Sequence, residues 1–138
     1  MPKNTKMSSV LKELWVFSQA GIPIVEFSKE TGLDKFLMGS FVSAIKLYSQ
    51  HLSEKGLNSF ILENHKFIIK SLLEGNAILV CRTNVDMKDK KIDEQCDVIA
   101  RIFEELYKPE DIKKWDGTLS YFDEFKEKLD LYFKMSNL

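Results

Sequence analysis

Residues 13–28 read ELWVFSQAGIPIVEFS, in which two apolar runs meet across the short step Gln19-Ala20-Gly21. Each run has the length of a strand, and the step between them suits a hairpin turn. Pro23 has no backbone N–H, so it fits a strand start or an outward-facing position. Because a single glycine does not make a phosphate-binding loop, the stretch predicts the first hairpin of a sheet, with strands at 10–17 and 22–27.

The composition predicts one globular domain without affinity for nucleic acid. The chain has 138 residues, of which 44% are hydrophobic and 30% are charged, which is typical of a single packed domain. We expect a polar, flexible tail over residues 1–9 and a single domain over residues 10–135. The net charge of -1 and the isoelectric point of about 6.1 provide no basic surface of the kind that binds nucleic acid.

Targeting signals are missing from the sequence, so we expect a cytoplasmic protein. The sequence has no apolar run of about 18 residues, and no apolar segment follows the basic start MPKNTKMSS as it would in a signal peptide. Pro2 follows the first Met, which excludes N-myristoylation. Lys3 and Lys6 are a weak anchor on their own, so any membrane contact is expected to be indirect.

Beyond the hairpin, the hydrophobic pattern alternates between helix and strand. Residues 35–52 have a helical period, with Asp34 as a candidate N-cap and Gly56 as a stop. The apolar face of this predicted helix consists of Leu37, Phe41, Ala44, Ile45, Tyr48 and Leu52. Three strand-like runs with short connections follow and predict an antiparallel meander; they cover residues 57–62, 66–73 and 77–83.

The C-terminal third is predicted to be helical. A charged loop at 86–91 precedes a helix at 92–107, which Pro109 interrupts, and EDIKKW is a candidate for one further turn. Ser120 and Asp123 resemble a capping box before a last helix. Its inward side is expected to contain Phe122, Phe125, Leu129 and either Tyr132 or Phe133. The resulting order is β-β-α-β-β-β-α-α. The expected fold class is α+β, with a five-stranded antiparallel sheet flanked by helices on one or both faces.

The sequence offers little for catalysis or for a cofactor. His51 lies at the margin of a predicted apolar face and His65 in a predicted turn, and neither has metal-ligand neighbours in sequence. Cys81 and Cys96 form no CxxC pair and are interpreted as buried, reduced thiols. We therefore predict no enzyme activity, no metal and no cofactor.

One surface of the predicted 35–52 helix stands out as a candidate partner-binding site. Successive residues of a helix are rotated by about 100°, and this rotation places the surface well to one side of the apolar face. The surface has small residues in its middle and apolar residues at both ends. We name this surface the side facet, and it consists of Phe36, Gly39, Ser40, Ser43 and Leu47. Small residues allow close backbone approach, and exposed apolar residues mark contact surfaces. Two interpretations stay open: a partner binds the side facet, or the C-terminal helices of the same chain cover it.

The order of elements and several segments resemble a longin domain, from the longin/roadblock group. The matching segments are ELWVFSQAGIPIVEFS for the first hairpin, FLMGSFVSAIKLYSQHL for a helix crossing the sheet, ILENHKFIIKS and AILVCRT for the meander, and RIFEELY with LSYFDEF for the helical end. The resemblance covers residues 10–133 and implies a longin-like order of elements for the expected fold. Within the group, the sequence is similar to stand-alone archaeal longin-like proteins. A roadblock domain normally opens with a helix, for which only SSVLKEL is available here.

The resemblance implies a non-catalytic binding module of membrane-trafficking type. Longin-like domains act as platforms for a small GTPase or a peptide and pair through sheet edges or the first helix. The implied partners are a small GTPase, another longin or roadblock protein, or both, in a homodimer or a heterodimer. This sequence differs from the SNARE type of longin protein, because no heptad segment or membrane anchor is found after the predicted domain. The alternative is a small-ligand sensor on a profilin-like or PAS-like sheet, which needs a cavity between sheet and helix.

Overall fold

The computed structural model describes residues 11–28, Met38, Val42, residues 59–62 and residues 65–136. Its strands are β1 (Glu13–Ser18), β2 (Pro23–Ser28), β3 (Ser59–Leu62), β4 (His65–Leu72) and β5 (Ala77–Asn84). Its helices are α1 (Asp89–Leu106), α2 (Pro109–Lys113) and α3 (Asp123–Ser136), with single 3₁₀ turns at Leu73–Gly75 and Leu119–Phe122. The predicted tail at 1–9 lies outside the described residues.

The five strands form one antiparallel sheet in the order β2-β1-β5-β4-β3. The predicted α+β class and the predicted five-stranded sheet are confirmed. β5 is the central strand, and β2 and β3 are the two edges. Among the strands that the structure describes, β2 and β3 are consecutive in chain order although they lie at opposite edges.

The first hairpin forms where the sequence predicts it. Gly21 has a φ of +89°, a value that glycine adopts without steric cost. The Ser18 N–H donates to the Ile22 carbonyl at 2.8 Å, and the Ile22 N–H donates to Ser18 Oγ at 3.1 Å. A register shift after Val16 places Pro23 opposite Phe17, so proline occupies the first position of an edge strand, where it is tolerated.

Alternation along the strands gives the sheet two apolar faces. One face contains Leu14, Val16 and Leu79 and packs under α1 and α3. We name it the α1 face. The other contains Trp15, Phe17 and Val80, and we name it the Trp15 face. Because both faces are apolar, the central strands read as continuous hydrophobic runs and not as alternating ones.

Aromatic rings dominate the α1 face where the C-terminal helices meet. The Phe103 ring lies 5.0 Å from that of Phe125, 4.9 Å from that of Tyr107 and 6.1 Å from that of Phe122. All three phenylalanines are fully buried. Phe133 on α3 is buried as well, which resolves the predicted choice between Tyr132 and Phe133 in favour of Phe133.

Met38 and Val42 are helical and buried on the Trp15 face. Their helical state agrees with the predicted 35–52 helix, of which the other residues lie outside the described ones. The predicted apolar face omits both of them. Four residues apart, they lie on the same side of a helix, so the side that packs on the sheet includes positions that the sequence interpretation left out.

Two predicted boundaries were wrong in the C-terminal region. α1 begins at Asp89 and not at Ile92, so the charged loop is shorter than predicted; an acidic residue in a first turn is favourable to a helix. Ser120 lies inside the 3₁₀ turn Leu119–Phe122, and α3 begins at Asp123. The candidate turn at EDIKKW exists as α2, with Pro109 in its first turn, where proline is tolerated.

The β4–β5 turn contains two non-glycine residues with positive φ. Leu73 has a φ of +50° and Glu74 of +58°, and Gly75 follows at +90°. Such backbone costs about 1–2 kcal/mol per non-glycine residue. The Glu104 carboxylate on α1 accepts a hydrogen bond from the Leu73 N–H at 2.9 Å, and Asn76 Nδ2 donates to the Leu73 carbonyl at 2.8 Å. The turn is therefore tied to α1.

Candidate functional site

A groove of about 660 Å³ runs between α1 and strands β3 and β4. It opens on the α1 face, at the β3 side of the sheet. The lining combines apolar residues with side chains of both charge signs, and it includes Ser59, Lys66, Ile68, Lys70, Asp89, Ile92, Asp93, Cys96 and Asp97. The groove could not be predicted from the sequence, because it forms between two strands and a helix whose relative placement no local pattern determines.

Ion pairs cross the groove from β4 to α1. Lys66 pairs with Asp89, and Lys70 Nζ lies 2.7 Å from Asp97 Oδ1. Four strand residues rise about 13 Å, and eight helix residues rise about 12 Å. The two pairs therefore stay in step along the two elements. The hydrogen bond that the Lys70 ammonium donates to Asp97 is the main cause that raises the pKa of Lys70.

The two cysteines lie next to each other at this groove, and Cys96 is part of its lining. Cys81 on β5 and Cys96 on α1 are both buried, and neither is in a disulfide. Their side chains are hydrogen-bonded to each other. This hydrogen bond, followed by burial, raises the pKa of the Cys81 thiol well above its usual range. The prediction of two buried, reduced thiols is confirmed for their burial, but the contact between them was not predicted.

A charged cluster lies at one end of the Trp15 face. Glu13 and Arg82 are opposite each other on β1 and β5 and form an ion pair in which the Glu13 side chain is 6% exposed and that of Arg82 14%. Arg82 Nη1 lies 2.7 Å from His65 Nδ1. His65 begins β4 and does not lie in a turn, which corrects the prediction. Because Arg82 contacts its ring, His65 is part of this charged cluster.

Apolar side chains are exposed near both sheet edges. Ile22 precedes β2 and is 52% exposed, and Ile61 lies within β3 and is 60% exposed. Ile61 pairs with Lys66, and opposite residues share a face, so Ile61 extends the α1 face past the groove. α3 also exposes Leu131 and Met135, at 58% and 64%. Edge strands present unpaired backbone groups, so the Ile61 edge is suited to a protein contact.

The side facet lies outside the described residues. None of its five members can be placed against the sheet or the C-terminal helices, so both interpretations of the facet stay predictions. His51 lies outside as well. Over residues 11–28, 59–62 and 65–136, together with Met38 and Val42, His, Cys, Asp and Glu side chains form no group of three that could hold a metal ion. In this part of the chain, no helix has the length and apolar character needed to cross a membrane.

Solved structures similar to this one belong to the longin/roadblock group. MglB of Myxococcus xanthus has 12% identity and a TM-score of 0.55, covering 69% of this chain and 85% of that one. A second MglB structure, with a tetrameric arrangement, has 12% identity and a TM-score of 0.56, covering 69% and 76%. A roadblock/LC7 domain from Streptomyces avermitilis has 9% identity and a TM-score of 0.53, covering 67% and 81%.

The mammalian SRP receptor structure is similar over more of the chain. It has 13% identity and a TM-score of 0.53, and the match covers 94% of this chain and 99% of that one. No family model and no curated protein sequence matches the chain. The chain therefore has a longin-like fold of the longin/roadblock group, as predicted, and the likeness at this identity concerns the fold alone. The resemblance to archaeal proteins stays a prediction.

Proposed function

We propose that this protein is a non-catalytic interaction module that associates with a small GTPase, as a scaffold or regulator of membrane-trafficking type in the cytoplasm. The observation that carries the proposal is the longin-like fold: a five-stranded sheet in the order β2-β1-β5-β4-β3 with helices on the α1 face. Longin-like domains serve as platforms for small GTPases, and the structural neighbours include MglB and the SRP receptor.

The proposal includes assembly with a second copy or with another longin or roadblock protein. One of the similar MglB structures has a tetrameric arrangement. In this chain the β3 edge supports such a contact, because Ile61 is 60% exposed there and an edge strand can pair with another chain.

The side facet is the second proposed contact surface. On a regular helix, residues advance by about 100° each. Ser40, Ser43 and Leu47 then lie on the side of the helical wheel opposite Met38 and Val42, which are buried on the Trp15 face. This position favours a partner over coverage by α1 and α3, since these two helices pack on the α1 face.

Binding to small GTPases is the direct test. Each small GTPase of the source organism, loaded with GDP or with a non-hydrolysable GTP analogue, is titrated with the protein in a calorimeter. Saturable binding to at least one nucleotide state is expected. Absence of binding to every GTPase in both states would refute the association. Measuring GTP hydrolysis and nucleotide release with and without the protein then separates a scaffold from a regulator.

Assembly is tested by light scattering on matched surface variants. Ile61→Lys places a charge on the β3 edge, and Leu131→Lys makes the same change at an α3 position with nearly equal exposure, 58% against 60%. If β3 is the interface, only Ile61→Lys lowers the mass. Ser40→Arg with Leu47→Asp tests the side facet in the same way. A wild type that is already a monomer, with no mass change on mixing with a longin or roadblock partner, would contradict both surfaces.

Small-ligand sensing is a second candidate, and the groove is the observation that favours it. Its volume of about 660 Å³ lies within the range of about 300–1,000 Å³ for ligand sites, and it supplies the cavity between sheet and helix that this function needs. A thermal-shift screen with nucleotides and metabolites tests it, since a ligand that binds only the folded state raises its melting temperature. Saturable stabilisation that Lys70→Met abolishes would favour this candidate.

A further inference from the structure

We propose that Cys81 and Cys96 form a reversible intramolecular disulfide when a low-molecular-weight disulfide reaches them through the groove between α1 and β4. The pair would then be an oxidation site that links the central strand to the helix above it. Three observations carry the proposal: the two side chains pack in one buried cluster and are hydrogen-bonded to each other, Cys96 lines the groove, and both thiols are free.

The two cysteines belong to the same buried cluster, one on the sheet and one on the helix above it. Cys81 lies within the central strand, opposite Leu14 on one side and Ile68 on the other. Cys96 is on the buried side of α1, and the hydrogen bond between the side chains brings the sulfur atoms into contact. A disulfide shortens the sulfur–sulfur distance to about 2.05 Å, so its formation requires the two side chains, on α1 and β5, to move closer together.

The two thiols differ in how accessible they are from the groove. Cys96 and Ile68 are among its lining residues, whereas Cys81 lies behind them and is fully buried. A small reagent in the groove therefore meets Cys96 first. The raised pKa of Cys81 keeps that thiol protonated and unreactive until a mixed disulfide forms next to it.

The exchange is balanced with the small disulfide as the oxidant. The Cys96 thiolate attacks one sulfur of the reagent RSSR, which breaks its S–S bond, forms a Cys96–SR mixed disulfide and releases one RS⁻. Cys81 loses its proton to the released thiolate and attacks the Cys96 sulfur, which expels the second RS⁻. The protein loses two hydrogens and two electrons, and RSSR becomes two RSH.

Intact mass spectrometry of the native protein with oxidised glutathione tests the product. The expected result is a loss of about 2 Da without a lasting glutathione adduct. Trypsin cleavage without reductant should then yield peptides 71–82 and 92–101 joined by one disulfide. A reductant should restore the original mass. Unchanged mass, a stable glutathione adduct or a dimer joined by a disulfide between chains would each overturn the proposal.

A matched pair of variants tests the route through the groove. Ser59→Trp places a large side chain at the groove, and Ser120→Trp makes the same change at an exposed site among residues that do not line it. Only Ser59→Trp should slow the oxidation several-fold, with both variants shown to be folded by circular dichroism. Equal rates in the two variants would overturn entry by the groove. Cys81→Ala is expected to stop at a glutathione adduct on Cys96, and an unmodified Cys96 in that variant would contradict the order of attack.

Discussion

The two faces of the sheet are built from the same strands but are completed in different ways. On the α1 face the chain supplies its own cover, with fully buried aromatic side chains such as Phe103 and Phe125. On the Trp15 face, the described residues form an apolar cluster that includes Met38 and Val42, and the buried Glu13–Arg82 pair lies at one end of this face. Apolar contact stabilises both faces, but the second face also needs each buried charge to keep its partner. Variants of the two faces should therefore differ in whether a second substitution can rescue them.

Phe103→Ala should have the largest effect on stability. Phe103 is fully buried and touches the rings of Tyr107, Phe122 and Phe125. Truncation leaves a cavity and lowers the free energy of unfolding by about 3–5 kcal/mol, which urea unfolding followed by circular dichroism will measure. Phe103→Leu should lose clearly less, because it keeps more of the volume. A loss below about 1 kcal/mol for Phe103→Ala would mean that this cluster does not hold the α1 face together.

Glu13→Gln should have the next largest effect, and it addresses the Trp15 face. The substitution keeps the side-chain size but leaves the Arg82 guanidinium, which is 14% exposed, without its carboxylate. Removing one partner of a buried ion pair costs about 3–5 kcal/mol, and some exposure of Arg82 places this case at the lower end. Urea unfolding measures the loss.

The rescue variant for this pair is Glu13→Leu combined with Arg82→Met. Replacing both charges by apolar residues of similar size is often neutral or stabilising, so the double variant should be more stable than Glu13→Gln. No comparable rescue exists for Phe103, where the loss is volume. A double variant that is less stable than Glu13→Gln would show that the charges also hold the surrounding structure, beyond compensating each other.

The comparison of the faces also explains what the sequence could predict. Hairpin and meander signals, such as Gly21 and the short connections between strands, are local, and they predict the five strands to within three residues at either end. The Glu13–Arg82 pair joins residues 69 positions apart, and only the register of β1 on β5 brings them together. Met38 and Val42 were left out of the predicted apolar face because spacing alone does not determine how a helix is rotated on a sheet.

The candidate surfaces also divide into one that local sequence patterns predict and others that depend on tertiary placement. The sequence could propose the side facet, which depends on helical period alone, and this proposal is still a prediction. The groove and the Cys81–Cys96 contact need α1 to be placed over β4 and β5. No spacing in the sequence states that placement, so the sequence could give the burial of the thiols and not their contact.

Tyr107→Phe should have a moderate effect that depends on pH. The Tyr107 hydroxyl donates to the Tyr121 carbonyl at 3.3 Å, so its loss should cost about 0.5–1.5 kcal/mol at pH 7. Burial raises the pKa of Tyr107. The unfolded chain then loses this proton first, and the stability of the wild type falls as the pH rises above about 10. Unfolding at pH 7 to 11 should show a shallower decline in Tyr107→Phe, and an unchanged slope would contradict the assignment.

Asp97→Asn should have the smallest effect, and it completes the comparison with Glu13. Both substitutions remove a carboxylate from an ion pair, but Lys70 and Asp97 are 41% and 53% exposed. Exposed pairs contribute about 0–1 kcal/mol, and salt screens them. The decrease in the free energy of unfolding, measured by urea unfolding, should therefore be well under half of that for Glu13→Gln. It should disappear at about 1 M salt. The raised pKa of Lys70 should return towards its usual value, because Asp97 is its main cause. A loss as large as that of Glu13→Gln would mean that the rim of the groove, and not only the buried end of the Trp15 face, needs its charges paired.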